Sequence, residues 1–293
     1  MTDSDQNPAT IQRKEIIYTL DDIPAPVRQR PRSSWQRISD IPAFRKSLLL
    51  ALLAGIWEAY ARYLGNELVL PTFSGTVLAL FSAIASGELP RATVYTLALL
   101  LKGYVAGLAI AAGLTAFASA TRLGADLLET LTAMFNPLPS IALLPLALIW
   151  FGLGEGSVIF VLIHAVLWAV ALNTHAGFKS VSPTLKMVGR NYGLTGLRYV
   201  TRILIPGAFP SILTGLKVGW AFAWRTLIAA ELVFGATSSS GGLGWYIFER
   251  KNQLLIPDVF AGLLTVIVFG LLVENLLFRT LEKYTVRRWG MAS

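Results

Sequence analysis

The sequence predicts an all-α polytopic membrane protein with six transmembrane helices, on three grounds. Hydrophobic residues make up 54% of the chain and charged residues only 14%, far from the balance of a soluble globular domain. Apolar runs of about 20 residues, enough for a helix to cross ~30 Å of hydrocarbon, recur near 47–64, 94–118, 128–151, 157–176, 212–235 and 258–280. They are apolar on all sides and lack the two-residue alternation of a barrel strand. Finally, most of the 25 Lys and Arg residues fall in the N-terminal tail, the turn at 122, the 179–206 loop and the C-terminal tail. Only Arg91, Arg250 and Lys251 occupy loops of the opposite parity, so both termini are expected on the cytoplasmic side. The net charge of +8 then reads as topology and contact with anionic lipid, not as nucleic-acid binding.

Three regions follow: a cytoplasmic tail over 1–46, a membrane domain over 47–282 and a cytoplasmic tail over 283–293. Residues 1–33 are polar and Pro-rich, with the basic run RQRPR at 28–32, and suit a mobile or loosely surface-bound segment. Residues 34–46 mix Trp35, Ile38, Ile41 and Phe44 with charges, as an interfacial helix does. The first apolar run starts only after residue 46, so no cleavable signal is expected. Between the first two spans, LVLPTFSGTVLALFSAIASGELPR is apolar in its middle and polar at its ends, which predicts an external helix along the bundle. Gly103, Gly107 and Gly113, among many Ala, let the second span approach a neighbour closely.

The third span contains NPLPSIALLPLALIWFGLGEGS. Pro137, Pro139 and Pro145 there leave carbonyls to be paired by neighbouring helices or water. Such broken helices either line a solute pathway or merely shape packing. Asn136, Pro137 and Ser140 are accordingly candidate path residues, together with Trp224, Arg225 and Glu231 of WAFAWRTLIAAELVFG.

The loop KSVSPTLKMVGRNYGLTGLRYVTRILIP, residues 179–206, is basic and helix-patterned between two apolar spans. Ser182-Pro183 is a good helix start, with a hydroxyl cap followed by a residue whose missing N–H costs nothing at the first position. Gly193 suits the left-handed turn that ends a short helix. A second short helix, Leu197 to Leu204, then meets Pro206 and Pro210, which are expected to keep it apart from the next span. A helix–Gly–helix unit lying flat at the membrane surface suits docking to a soluble partner.

Intramembrane charges cost several kcal/mol and usually face a bundle interior or a wet cavity. Glu58 and Arg62 lie four apart and can pair on one face. Arg225 and Glu231 lie on different faces, so each should meet a partner on another helix, as a structural or gating contact or by touching solute. Lys102 and Glu274 are further intramembrane charges, and His164 and His175 suit interhelical hydrogen bonds better than metal. Trp57, Tyr60, Trp150, Trp245 and Tyr246 suit interface anchors. With no Cys, there can be no disulfide or Cys-based metal site. No GxxxxGK[ST], HExxH, CxxC or GxSxG pattern occurs, so the chain has no equipment for nucleotide hydrolysis and no visible catalytic constellation.

On these residues the chain resembles the permease subunits of bacterial ATP-binding cassette importers. Gly193, Ile203 and Pro206 fit the second half of that family's cytoplasmic coupling loop, with Ile205 in the usual Leu position. PSIALLPLALIWFGLGEGS, LIPGAFPSILTGLKVG, AWRTLIAAEL and SGGLGWYIFERKNQLLIPD, in that order, are similar to the nitrate/sulfonate/taurine subfamily. The resemblance covers about residues 50–288. It implies a type I importer in the cytoplasmic (inner) membrane, with two permease copies, two cytosolic ATPases and one extracytoplasmic solute-binding protein. It also implies a small, mostly anionic solute, and no cofactor in this subunit, ATP and Mg belonging to the partner ATPase. The ATPase-coupling residues it implies are Lys186, Met187, Val188, Gly189, Arg190, Gly193, Ile203 and Pro206. Two departures stand out. Met187-Val188-Gly189 replaces the usual Glu-Ala-Ala, and Thr96-Leu97-Ala98-Leu99 replaces a common Ser-Leu-x-Arg. The alternative reading is a proton-coupled secondary transporter or channel, in which Glu58, Glu231 and Glu274 carry protons.

Overall fold

A computed structural model describes residues 41–234 and 241–286, which contain helices and no β-strand. Two compact units divide the chain, residues 1–52 and 53–293. The described part of the first is the opening of helix α1 (Pro42–Leu64), where Leu48, Leu49 and Leu50 are exposed. Residues 1–40 of the tail expected at 1–46, with most of the interfacial segment expected at 34–46, and residues 287–293 of the tail expected at 283–293 lie outside the described residues.

In the second unit α2 (Phe73–Ala85) is the short apolar helix expected between the first two spans. Then come α3 (Glu88–Ala120), α4 (Arg122–Phe135), a tight turn at Ser140–Leu143, α5 (Leu144–Phe151) and α6 (Glu155–Ser180). Helices α7 (Pro183–Asn191), α8 (Gly196–Tyr199), α9 (Ile205–Phe234), α10 (Leu243–Asn252), α11 (Ile256–Leu272) and α12 (Arg279–Tyr284) complete the order. Five described helical runs are long and apolar enough to cross a membrane, six if α4 and the Ser140–Phe151 segment count as one broken span.

The prolines of the span expected at 128–151 do break it, and its first half begins earlier than expected, at Arg122. Its two halves bend by 88°. The break is Asn136-Pro137-Leu138-Pro139, where two residues lack an N–H: Asn136 still has helical angles (φ −63°, ψ −34°), and the chain is extended by Pro139 (φ −60°, ψ 122°). Pro145 breaks nothing, because it falls in the first turn of α5, where no N–H is needed.

A second correction concerns Pro206 and Pro210, which do not separate the loop from the next span. Gly196–Val233 forms one candidate span, with Pro210 inside α9. A π-turn at Val200–Leu204 joins α8 to α9, and Ile205 N–H donates to Val200 O in the i→i−5 pattern. The proline ring of Pro206 is directed against the carbonyl four residues back, that of Arg202, and the widened turn is where that clash is relieved.

Helix α6 is central. It packs on α9 and α3, and 56% of its most apolar window is buried, against 6% for α1. Small residues on α3 permit this contact: a Cβ on Gly103 would stand 2.5 Å from Leu162 Cβ, and one on Gly107 2.8 Å from Val166 Cβ. Tyr104 Oη donates to Leu216 O at 2.9 Å, tying α3 to α9.

The expected Glu58–Arg62 pair forms at 2.6 Å, and Glu58 also accepts from Ser74 N–H (3.0 Å) and Ser74 Oγ (2.9 Å). This carboxylate therefore satisfies the start of α2, where a helix has unpaired N–H groups and a partial positive charge. Lys102 pairs with Glu155 at 2.6 Å, and Arg250 of α10 pairs with Glu88. Glu274 is exposed and has no partner among the described residues.

Candidate functional site

The bend between α4 and α5, together with α6 and α9, encloses a cavity of about 380 Å³. Asn136, Pro137, Ser140, His164, Trp168 and Arg225 line it, so four of the six expected path residues come together. Ser140 Oγ lies 3.1 Å from His164 Nδ1, the interhelical hydrogen bond expected for this histidine. Phe135 stacks on Trp168, with ring centroids 5.5 Å apart and planes 12° apart. His164 Nε2 and Trp168 Nε1 are buried without a hydrogen-bond partner among the described residues. Arg225 is exposed, lies 5.8 Å from the Phe222 ring centroid and has no carboxylate partner among the described residues. A cation without a counter-charge beside a hydroxyl in a mostly apolar cavity makes a receptive surface for an anion.

The other two path candidates are elsewhere. Trp224 is 8% exposed and buried, because one residue along a helix turns the side chain by about 100° from the direction of Arg225. Glu231 is 3% exposed and reaches the start of α10 instead of the cavity. Gly244 N–H donates to Glu231 Oε2 at 2.8 Å, and Thr96 Oγ1 lies 3.0 Å from both carboxylate oxygens. The same Thr96 hydroxyl accepts from Leu243 N–H at 2.8 Å. One hydroxyl and one carboxyl group thus join α3, α9 and α10. The fit is tight: a Cβ on Gly242 would stand 2.0 Å from Glu231 Oε1, and one on Gly244 2.6 Å from Glu231 Cβ. Sequence reasoning missed Thr96 and Gly244 as partners of Glu231, although the glycine cluster of SGGLG was a signal that another group approaches the backbone closely. Arg225 and Glu231 share no contact among the described residues, so each has its own surroundings. His175 departs from expectation too, since neither of its ring nitrogens has a partner among the described residues.

The 179–206 loop folds largely as its residues dictate. Ser182 Oγ accepts from Leu185 N–H at 3.2 Å and caps α7, with Pro183 in the first turn. Gly193 has φ +69°, and Gly193 N–H and Leu194 N–H close the helix end onto Arg190 O (2.9 Å) and Gly189 O (3.0 Å). Ile203, 9% exposed, packs under α7, and a Cβ on Gly189 would stand 2.8 Å from its Cγ1. Lys186 Nζ donates to Lys179 O at 3.0 Å. Met187 and Val188 are exposed, so two of the three positions that depart from Glu-Ala-Ala present apolar surface outward, while Gly189 is buried. No group of three His, Asp or Glu suited to a metal occurs among the described residues.

Comparison with known proteins places these features in one family. The model of the binding-protein-dependent transport system inner membrane component matches residues 103–290. A putative ABC transporter permease of Methanocaldococcus jannaschii is 32% identical over 83% of this chain and 91% of its own. The putative aliphatic sulfonates transport permease of Escherichia coli is 31% identical over 70% of this chain and 77% of its own. The taurine transport system permease of the same organism is 34% identical over 50% of this chain and 52% of its own. The chain thus belongs to the binding-protein-dependent transport system inner membrane components, as a multi-pass ABC importer permease and not an enzyme.

Proposed function

We propose that this permease forms the translocation path for a small anionic solute, a nitrate, sulfonate, taurine or similar organic anion, delivered by an extracytoplasmic binding protein. The observation that carries the solute class is Arg225, a cation without a carboxylate partner among the described residues, lining the cavity beside the Pro137–Pro139 break. Relatives named for aliphatic sulfonates and taurine support the same class. The path residues are Asn136, Pro137, Ser140 and Arg225. Two copies of the chain pair, and solute passes between their α9 helices.

A separate cytosolic ATPase, holding ATP and Mg, docks on α7 and its Gly193 turn, on the side that carries both termini. The basic side chains Lys186 and Arg190 and the exposed Met187 and Val188 form its seat, with Gly189, Ile203 and Pro206 shaping the support beneath. ATP binding closes the ATPase pair, the α7 helices move with it, and the cavity opens alternately to either side. Coupling between sites is reciprocal, so a loaded binding protein should raise ATPase turnover from across the membrane.

The absence of native Cys makes the path test clean. Thr226→Cys places one thiol on the cavity wall. A membrane-impermeant thiol reagent should reach it from the outside when nucleotide closes the ATPases, and from the inside without nucleotide. Labelling that reaches this thiol from neither side in either state removes the cavity from the path.

A further inference from the structure

A second cavity, of about 450 Å³, lies at the coupling-loop end of the chain, away from the path. The α3–α4 turn, the end of α6 and helix α7 enclose it, and Arg122, Lys179, Lys186 and Arg190 line it together with His175. Like charges gathered at one opening repel each other, and the acidic groups available do not balance them. Lys179 pairs with Glu129, the one ion pair these four cations make among the described residues. The guanidinium groups of Arg122 and Arg190 have no hydrogen-bonding or ionic partner there, and the Lys186 ammonium is held by a backbone carbonyl. His175 supplies the independent observation: it is 8% exposed, lines this cavity, and both its ring nitrogens lack a partner among the described residues. A buried polar ring left unpaired in native surroundings points to an absent acceptor.

From this cluster we infer a binding site for a phosphate group, with guanidinium forks and an imidazole N–H as donors. The rest of the lining selects the source. Phe178, Tyr199 and Leu204 add apolar and aromatic surface beside the cations, at the ends of helices that cross the bilayer. Basic pockets between transmembrane helices on the cytoplasmic side hold anionic headgroups in this way. The ligand is the phosphodiester of an anionic phospholipid, and bound lipid braces α7 against the ends of α3 and α6.

The test uses the full complex with its ATPase, stripped of lipid and titrated with phosphatidylglycerol, phosphatidylcholine or inorganic phosphate, with retained ligand read by native mass spectrometry. Wild type should retain phosphatidylglycerol over phosphatidylcholine. Arg122→Gln and His175→Leu should each lower retention, Arg122→Gln by roughly tenfold, as loss of a charged hydrogen bond implies, and Arg122→Lys, which keeps the charge but not the fork, should restore only part of it. Retention of inorganic phosphate with the same dependence on Arg122 supports the phosphate site and assigns it to free phosphate instead. Equal retention in wild type and Arg122→Gln overturns the site. So does an equal loss in Arg279→Gln, a cation outside the cavity, which reduces the effect to general surface charge.

Discussion

Replacing Thr96 by Val is the sharpest perturbation of the buried junction between α3, α9 and α10. The substitution nearly conserves shape and removes one hydroxyl, which serves two groups: it bonds Glu231 at 3.0 Å and accepts from Leu243 N–H at 2.8 Å. An interhelical polar contact in a membrane bundle contributes about 0.6–1.7 kcal/mol. A buried N–H left without an acceptor costs about 1–3 kcal/mol. Together the loss is about 2–5 kcal/mol, and at roughly 2–4 °C per kcal/mol for chains of a few hundred residues the midpoint should fall by about 4–20 °C. Thr96→Ser keeps the hydroxyl and loses one methyl, about 1 kcal/mol by burial. Thermal unfolding of the two variants in one lipid nanodisc separates the causes. A stable Thr96→Val, or a Thr96→Ser that falls equally far, refutes the hydrogen-bonded junction and leaves only packing.

Other consequences are as direct. Gly193→Val forces a β-branched side chain to φ +69°, at a cost of roughly 1–2 kcal/mol, and should reduce co-purification with the ATPase; undiminished capture with normal transport removes the docking assignment. Gly107→Leu drives a side chain into Val166, whose Cβ stands 2.8 Å from the new Cβ, and should destabilise the bundle by about 1–3 kcal/mol; an unchanged unfolding midpoint contradicts the close α3–α6 contact. Arg225→Gln should lower uptake of an anionic solute while leaving binding-protein affinity and basal ATPase turnover intact, and uptake at the wild-type rate argues against a solute contact there.

Much of this architecture was legible because hydrophobic length is set by the bilayer. The spans and the short α2 follow from runs of apolar residues, and the α7 cap and Gly193 turn follow from local chemistry that no distant contact overrides. What escaped was whatever depends on neighbours. Pro206 and Pro210 read as breakers, yet a π-turn at 200–204 carries the chain through them. Pro137 and Pro139 do redirect the chain, by 88°, and nothing in their local chemistry distinguishes that outcome from a mild kink. Glu231 read as a path residue because intramembrane acids are rare. Its partners, Thr96 and the α10 backbone, are distant in sequence, and a glycine cluster was their only trace.

In the proposed function this chain supplies a path and a partner supplies the energy. Uptake of a small anion into proteoliposomes, with permease, ATPase, binding protein and ATP each left out in turn, tests it most directly. Uphill uptake is expected only when all four are present, with ATP on the side bearing α7 and with resistance to a proton uncoupler. Uphill uptake by the purified permease alone, driven by a proton or sodium gradient, would contradict it.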